Sequence, residues 1–475
     1  MMVAAFGGWL LLLWWLLSWY RVGLLEPGKT FLTGWLLIVS FLAANLVEYD
    51  RIFTPDAFLS LLAGTAAFVA GTLTLRTYWT GRGRTRSTIA VEAVLRPWWG
   101  TVTFIIVGTL GYALLQVPRV AQIFATGGLT AATLVELRAE HIAQTLEARV
   151  TLASAAEAIL RVGATMAAVG IPIFLILRQR FLAAVGVLAV FVLALDSALV
   201  GGRMMLAYVV FGCAYARLHC VPPRRLRDWT SKDVILVGLA LVGLGGLGFL
   251  MMVVFPAIRN PDLVGDVDLF LGLLHDARLS DWVVAANDYF PAGGLAVFAF
   301  ASSYISQPIV KYSFFLQNSD IESWLTLGAY NFPLISKAWS MLSAGANDWA
   351  ELRERIALVS VPFGYGENPW STGIRDLVID FGFWGMPLAM FVFGVVWQYL
   401  YLRASESSSA EWRIALALAG PMAFFLAFFS PLPVGIFGNT LLAAIGWAVL
   451  AGVARANRTP PAGLDVVKRK PSSTC

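Results

Sequence analysis

An all-α polytopic membrane protein is the fold class this sequence predicts, and three observations carry it. The 475 residues are 59% hydrophobic and only 13% charged, whereas soluble domains carry roughly 25% charged residues. Mean hydropathy is +0.74. The apolar residues come in runs close to the length of about 20 that a helix needs to cross the hydrocarbon core of a bilayer. The 18 Trp and 31 Phe suit segments that face lipid and anchor at its boundaries.

Taken in order, the runs are 3–20, 31–47, 57–75, 98–115, 153–177, 181–200, 204–217, 233–255, 376–402, 412–430 and 433–452. They predict eleven transmembrane helices, or thirteen if 292–307 and 324–342 cross as a pair. The first run is read as a span and not as a cleavable signal, because it lacks a basic flank and a small-residue cleavage site. Basic residues orient the set. Arg76, Arg82, Arg84, Arg86 and Arg96 share one connector, Arg178 and Arg180 another, and Arg217, Arg224, Arg225, Arg227 and Lys232 a third. Placing these connectors in the cytoplasm puts the N-terminus outside and the tail 454–475, with Lys468-Arg469-Lys470, inside. The chain then divides into helices one to eight over 1–255, including an outward loop at 116–152 with a helix around 129–151. A large outward loop follows over 256–375, then helices nine to eleven over 376–453.

That large loop far exceeds the usual connection of about 4–6 residues, and its Tyr, Phe, Trp and Leu content predicts that it folds against the membrane domain. The net charge of +5 is explained by residues flanking the spans, so it does not point to nucleic acid. Cys213, Cys220 and Cys475 form neither a disulfide nor a zinc pattern. His141, His219 and His275 lack metal-ligand spacing, so no metal or cofactor is expected.

Four constellations carry chemistry. The richest runs from Tyr365 through Glu367, Asn368 and Thr372 to Arg375, Asp376, Asp380, Gly382 and Gly385. It passes from a polar loop into a hydrophobic helix and takes charges with it, and charges at that depth mark sites. Ser371 or Thr372 suits the helix cap, and Asp376 and Asp380, four apart, share a face. Ordinary capping accounts for Asp376 through the helix dipole but not for Asp380, a turn further in. The second is Gly201-Gly202-Arg203, where glycines permit a tight turn and Arg offers a fork suited to phosphate oxygens; an interfacial turn with a snorkelling Arg is the competing reading. The third is Arg161 with Asp196, both inside spans on successive helices, where mutual pairing is the economical reading and a substrate-facing Arg161 the other. The fourth is Glu48-Tyr49-Asp50-Arg51, read as an ordinary polar loop. Lys311 and Tyr312, in an aromatic part of the large loop, are candidates for contact with phosphate or sugar.

Together these features resemble the bacterial O-antigen and exopolysaccharide repeat-unit polymerases of the Wzy type. Many spans, a mid-chain Gly-Gly-Arg turn and one large late loop carry the architectural likeness. As a motif the likeness rests on residues 201–203 and 361–385, with Asn368, Thr372, Asp380-Phe381-Gly382 and Gly385. O-antigen ligases share the architecture. The resemblance implies a metal-independent glycosyltransferase of the membrane-embedded C type in the bacterial inner membrane, with its active site facing the periplasm. Its substrates would be undecaprenyl-pyrophosphate-linked oligosaccharides, and its partners membrane lipid and a chain-length regulator protein. In that chemistry Arg203, Arg375 and Arg161 would stabilise the departing pyrophosphate. Asp380, Asp376, Glu367 or a His would serve as base, while Gly201, Gly202, Tyr365, Asn368, Thr372, Lys311 and Tyr312 would hold substrate. Arg259, Arg353 or Arg355 could replace Arg375 in its role. A lipid-linked oligosaccharide transporter and a glycosyltransferase using a polyprenyl-phosphate sugar are the other classes weighed; the first usually shows internal repeats, which this chain lacks, and the second would depend on Asp50.

Overall fold

A computed structural model describes residues 1–49, 53–81, 96–125, 152–200, 204–220, 267–268, 271–272, 277–290, 294–318, 326–328, 330–331, 372–430 and 435–456. The described elements, in chain order, are α1 (Met2–Trp19), α2 (Pro27–Ala43), β1 (Val47–Tyr49), α3 (Pro55–Gly81), α4 (Trp99–Ala125), α5 (Leu152–Ile176), α6 (Arg180–Val200), α7 (Met204–Cys220), β2 (Ala277–Leu279), α8 (Asp281–Asn287), α9 (Gly294–Asn318), α10 (Gly373–Glu406), α11 (Ala410–Phe425) and α12 (Gly435–Ala456). Every predicted run except 233–255, which lies outside the described residues, falls on one of these helices. In lipid the backbone must satisfy its own hydrogen bonds, and a helix does so within one segment.

Six of the helices are long and apolar enough to cross a membrane: Met2–Trp19, Pro55–Gly81, Trp99–Ala121, Ala156–Ile176, Gly373–Glu406 and Gly438–Ala456. Pro27–Ala43 and Met205–Cys220 are shorter apolar helices. This is compatible with a multi-pass membrane protein. Some ends move outward from the predicted runs, while α2 and α11 stop short of theirs at Ala43 and Phe425. For example, α3 continues to Gly81 because Arg76 finds partners beyond the apolar stretch, donating to the Arg21 carbonyl at 3.0 Å and pairing with Glu26 at 3.2 Å.

In the late loop, residues 294–307 of the stretch 292–307 belong to α9, a 25-residue helix, and within 324–342 the described residues, 326–328 and 330–331, form a turn. The all-α expectation also needs a small amendment: β1 and β2 pair antiparallel, with Val47 opposite Leu279. Leu46, Val47, Val283, Val297 and Phe300 bury beneath this ribbon, and the Tyr49 hydroxyl reaches Ser306 Oγ at 2.7 Å and the Ser303 carbonyl at 3.2 Å. Glu48 pairs with Arg278 across the ribbon at 2.8 Å in an exposed position, in keeping with a structural role. Asp50 and Arg51 lie outside the described residues, as does the helix expected at 129–151.

Helix α10 packs most intimately on α3, and two glycines make this possible. A Cβ on Gly71 would stand 2.1 Å from the Phe391 carbonyl oxygen, and one on Gly394 would stand 2.2 Å from that of Phe68. The backbones therefore touch, as small residues allow where lipid supplies no hydrophobic drive. Helix α11 lies against α10, α2 and α7, while α4, α5 and α6 form a second group with Gly108 and Gly163 at their crossing. Cys213 donates to the Ala168 carbonyl, and Cys220 is buried beside Arg413.

Candidate functional site

The N-terminal end of α10 is where the structure concentrates polar groups. Thr372 is the N-cap: its Oγ1 accepts from the Arg375 N–H at 3.2 Å. Its φ is 66°, a region a β-branched residue rarely occupies, and holding it there costs on the order of 1–3 kcal/mol. Two backbone bonds sustain it, from the Thr372 and Gly373 N–H groups to the carbonyls of Phe428 and Leu426, both at 2.9 Å. Gly373 has to be glycine here, since a Cβ would meet the Leu426 oxygen at 2.9 Å. The end of α11 is thereby stitched to the start of α10.

Arg375 follows within the first turn, buried at 4% exposure. Its Nε and Nη2 both reach Asp376 Oδ1, at 2.8 and 2.7 Å, and its guanidinium carbon stands 5.9 Å from the Phe315 ring centre. Nη2 also meets the Tyr330 hydroxyl at 3.5 Å. Nη1 makes no hydrogen bond among the described residues. Asp376 Oδ2 accepts from the Ser430 N–H at 3.2 Å, which leaves that oxygen one acceptor position.

One turn on, Asp380 is wholly buried and fully occupied. Oδ1 accepts from the Thr326 hydroxyl and from the Tyr330 N–H at 2.9 Å; Oδ2 accepts from the Asn331 N–H at 3.0 Å and from its Nδ2 at 2.6 Å. The helix then breaks at Gly382, with φ 71° and ψ 176°, values open to glycine alone. The break frees the Asp380 carbonyl to accept from Leu327 N–H at 2.8 Å. In this arrangement the carboxylate has no lone pair for a substrate hydroxyl. These bonds clamp Thr326, Tyr330 and Asn331 against the broken helix, and service as a general base would require Asp380 to release one of these donors.

Asn331 is the residue the sequence reading missed. Besides Asp380 it bonds the Asp376 carbonyl at 2.9 Å and takes the Ser430 hydroxyl at 2.7 Å, so its amide joins α10, the turn and the end of α11. Nothing in the sequence marks it, because its partners are about 50 and 100 residues away along the chain. Lys311 and Tyr312, both buried, lie on α9. Lys311 is within electrostatic reach of Arg375, whereas Tyr312 turns away and bonds Ser60 Oγ at 2.7 Å.

Arg161 sits apart from this centre, on α5. It pairs with Asp196 at 3.3 Å, as expected from the sequence, but the pair is half of a larger group. Glu157 lies 3.1 Å from Arg161 and 3.3 Å from Arg119, and Arg119 also reaches Asp196 at 3.3 Å. The Tyr112 hydroxyl accepts from Arg161 Nε at 2.7 Å. Arg119 and Glu157 went unremarked in the sequence because each sits at the fringe of an apolar run, where charge is ordinary. Gly201, Gly202, Arg203, Tyr365, Asn368, Glu367, His141, His275, Arg259, Arg353 and Arg355 lie outside the described residues. Among the described residues no three His, Cys, Asp or Glu side chains stand together as metal ligands.

No protein-family model matches this chain, and no curated protein and no solved structure matches it either.

Proposed function

We propose that the protein polymerises undecaprenyl-pyrophosphate-linked oligosaccharide units at the periplasmic face of the bacterial inner membrane, transferring the growing glycan to a sugar hydroxyl of the incoming unit. The observation that carries this reading is Arg375. It is a buried guanidinium at the start of a membrane-length helix, oriented by Asp376, with Nη1 still open and Lys311 nearby. A leaving pyrophosphate gathers negative charge as the glycosidic bond breaks. Preorganised cations in a site shielded from water stabilise that charge far more than they would in bulk solvent. Arg203 and Arg161 are the further cations assigned to this work. Arg161 would have to exchange its hold on Glu157 for a phosphate oxygen. The catalytic base is left to Asp376, through the free position on Oδ2, or to Glu367.

The test is the lipid-linked glycan profile of a deletion strain complemented with wild type, Arg203→Ala or Arg375→Lys. Single repeat units in the deletion, long chains with wild type and short ones with either variant support polymerisation. Long chains that accumulate on the carrier identify a ligase instead, and an unchanged profile removes the polysaccharide reading and brings a transporter forward.

A further inference from the structure

Helix α9 carries a buried row whose Gln307 end stands outside the network around Asp380. Gln307, Lys311 and Phe315 are spaced four apart, which places them on one stripe spanning about 80° of the helix surface. All three are buried, Gln307 at 1% exposure. Phe315 is the ring beneath the Arg375 guanidinium, and Lys311, one turn earlier, is within reach of Arg375's charge. Gln307 is the anomaly. Both its Nε2 and its Oε1 are buried without a hydrogen-bond partner. Each orphaned polar group of this kind costs about 1–3 kcal/mol, so a buried amide unmet at both ends asks for an occupant with both a donor and an acceptor. Tyr49, at the β1 end, bonds Ser303 and Ser306 just ahead of Gln307. The row therefore leads from the β ribbon to Arg375, over a rise of about 12 Å between Gln307 and Phe315.

We infer that Gln307 and Lys311 form a subsite beside Arg375 for a phosphorylated sugar, with the phosphate between Lys311 and Arg375 and a sugar hydroxyl against the Gln307 amide. A hydroxyl both donates and accepts, which is what the two orphaned atoms require, and the length of the row suits one phosphate followed by one hexose ring. The inference rests on the glycosyl-transfer reading and deepens it by assigning where the sugar nearest the phosphate is recognised.

Gln307→Leu separates this role from packing, because the two predict opposite combinations. Leucine is close in volume and removes two unmet polar atoms, so the ligand-free variant is expected to unfold at the same temperature as wild type or a higher one. Thermal unfolding of the purified full-length protein is followed with glucose 1-phosphate, galactose 1-phosphate or N-acetylglucosamine 1-phosphate, and with inorganic phosphate as the control. Wild type should be stabilised by at least one sugar phosphate. Gln307→Leu should bind that compound about tenfold more weakly, the usual loss when a hydrogen bond to an uncharged group is removed, with its response to inorganic phosphate unchanged. Lys311→Met should lose the response to both. Equal responses of wild type and Gln307→Leu to the sugar phosphates, or no response of wild type to any of the three, would overturn the subsite. If Gln307→Leu does not fold, Gln307→Met is measured in the same way. The glycan profile keeps the two proposals apart. Normal polymerisation by Gln307→Leu defeats the subsite alone, whereas a Gln307-dependent sugar-phosphate shift with no glycan change on deletion defeats the polymerase reading alone.

Discussion

Two arginine clusters in this molecule are built from the same residue types and differ in almost every physical respect. Around Arg375 the ion-pair distances are 2.7 and 2.8 Å, within the range of strong charge-assisted hydrogen bonds. Its acidic partner Asp376 also receives the Ser430 N–H, and Asp380, one turn on, receives those of Tyr330 and Asn331. Around Arg161 the four ion-pair distances run from 3.1 to 3.3 Å, and the bonds are between side chains alone. Arg119 and Glu157 keep 32% and 26% of their side-chain surface exposed, while Arg375 and Asp376 keep 5% and 2%. A carboxylate tied to backbone amides and shielded from solvent is a fixed part of the fold. One that only meets other long side chains at the edge of the protein can trade partners. The difference teaches that the Arg375 centre is preorganised and the Arg161 quartet is adaptable.

The sharpest way to break this contrast is Asp380→Ala. It strands four donors at once, three of them buried, and the expected loss is about 3–5 kcal/mol, seen as reduced thermal stability in detergent and as exposure of the Leu327 and Asn331 amides to hydrogen exchange. A change under about 1 kcal/mol would show that the turn is not fastened there. Arg375→Ala should come next, since it leaves Asp376 charged and buried without its partner; a loss of about 3 kcal/mol is expected. Arg375→Lys should recover part of it, keeping the charge but not the two-pronged grip. Glycan length is read alongside stability. A variant that is stable yet makes short chains separates chemistry from folding.

Arg161→Ala is expected to cost less, about 1–2 kcal/mol, because Arg119 remains to hold Asp196. The smallest effect belongs to Glu157→Gln, under about 1 kcal/mol, as befits a partly exposed pair. Double-mutant cycles sharpen the comparison further. Coupling between Arg375 and Asp376 should exceed that between Arg119 and Glu157 by at least about 1 kcal/mol, and raising the salt concentration should weaken only the second. Equal couplings would erase the distinction between the two clusters.

Much of this was readable before any coordinates. Helices in lipid follow from composition, because an apolar run of the right length has one economical backbone solution. The described helices other than α8 and α9 accordingly fall on the predicted runs. A cap at Ser371 or Thr372 and the shared face of Asp376 and Asp380 were equally legible, since both depend only on neighbours within a turn. The pairing of Arg161 with Asp196 followed from the expense of an unpaired charge inside a span. Composition could not say that the pair would be a quartet, because Arg119 and Glu157 look ordinary where they stand.

What the sequence by itself determined is thus local and periodic: which segments are apolar helices, where charges enter them, and how α10 begins. The tertiary structure alone decided which distant groups meet. It brought Asn331 and Ser430 to the carboxylates of α10, surrounded Asp380 with four donors, and left the buried Gln307 amide without a partner. The physical reason is that hydrogen bonds across 50 or 100 residues leave no periodic trace in the chain, whereas the solvent a segment faces is written into every residue of it.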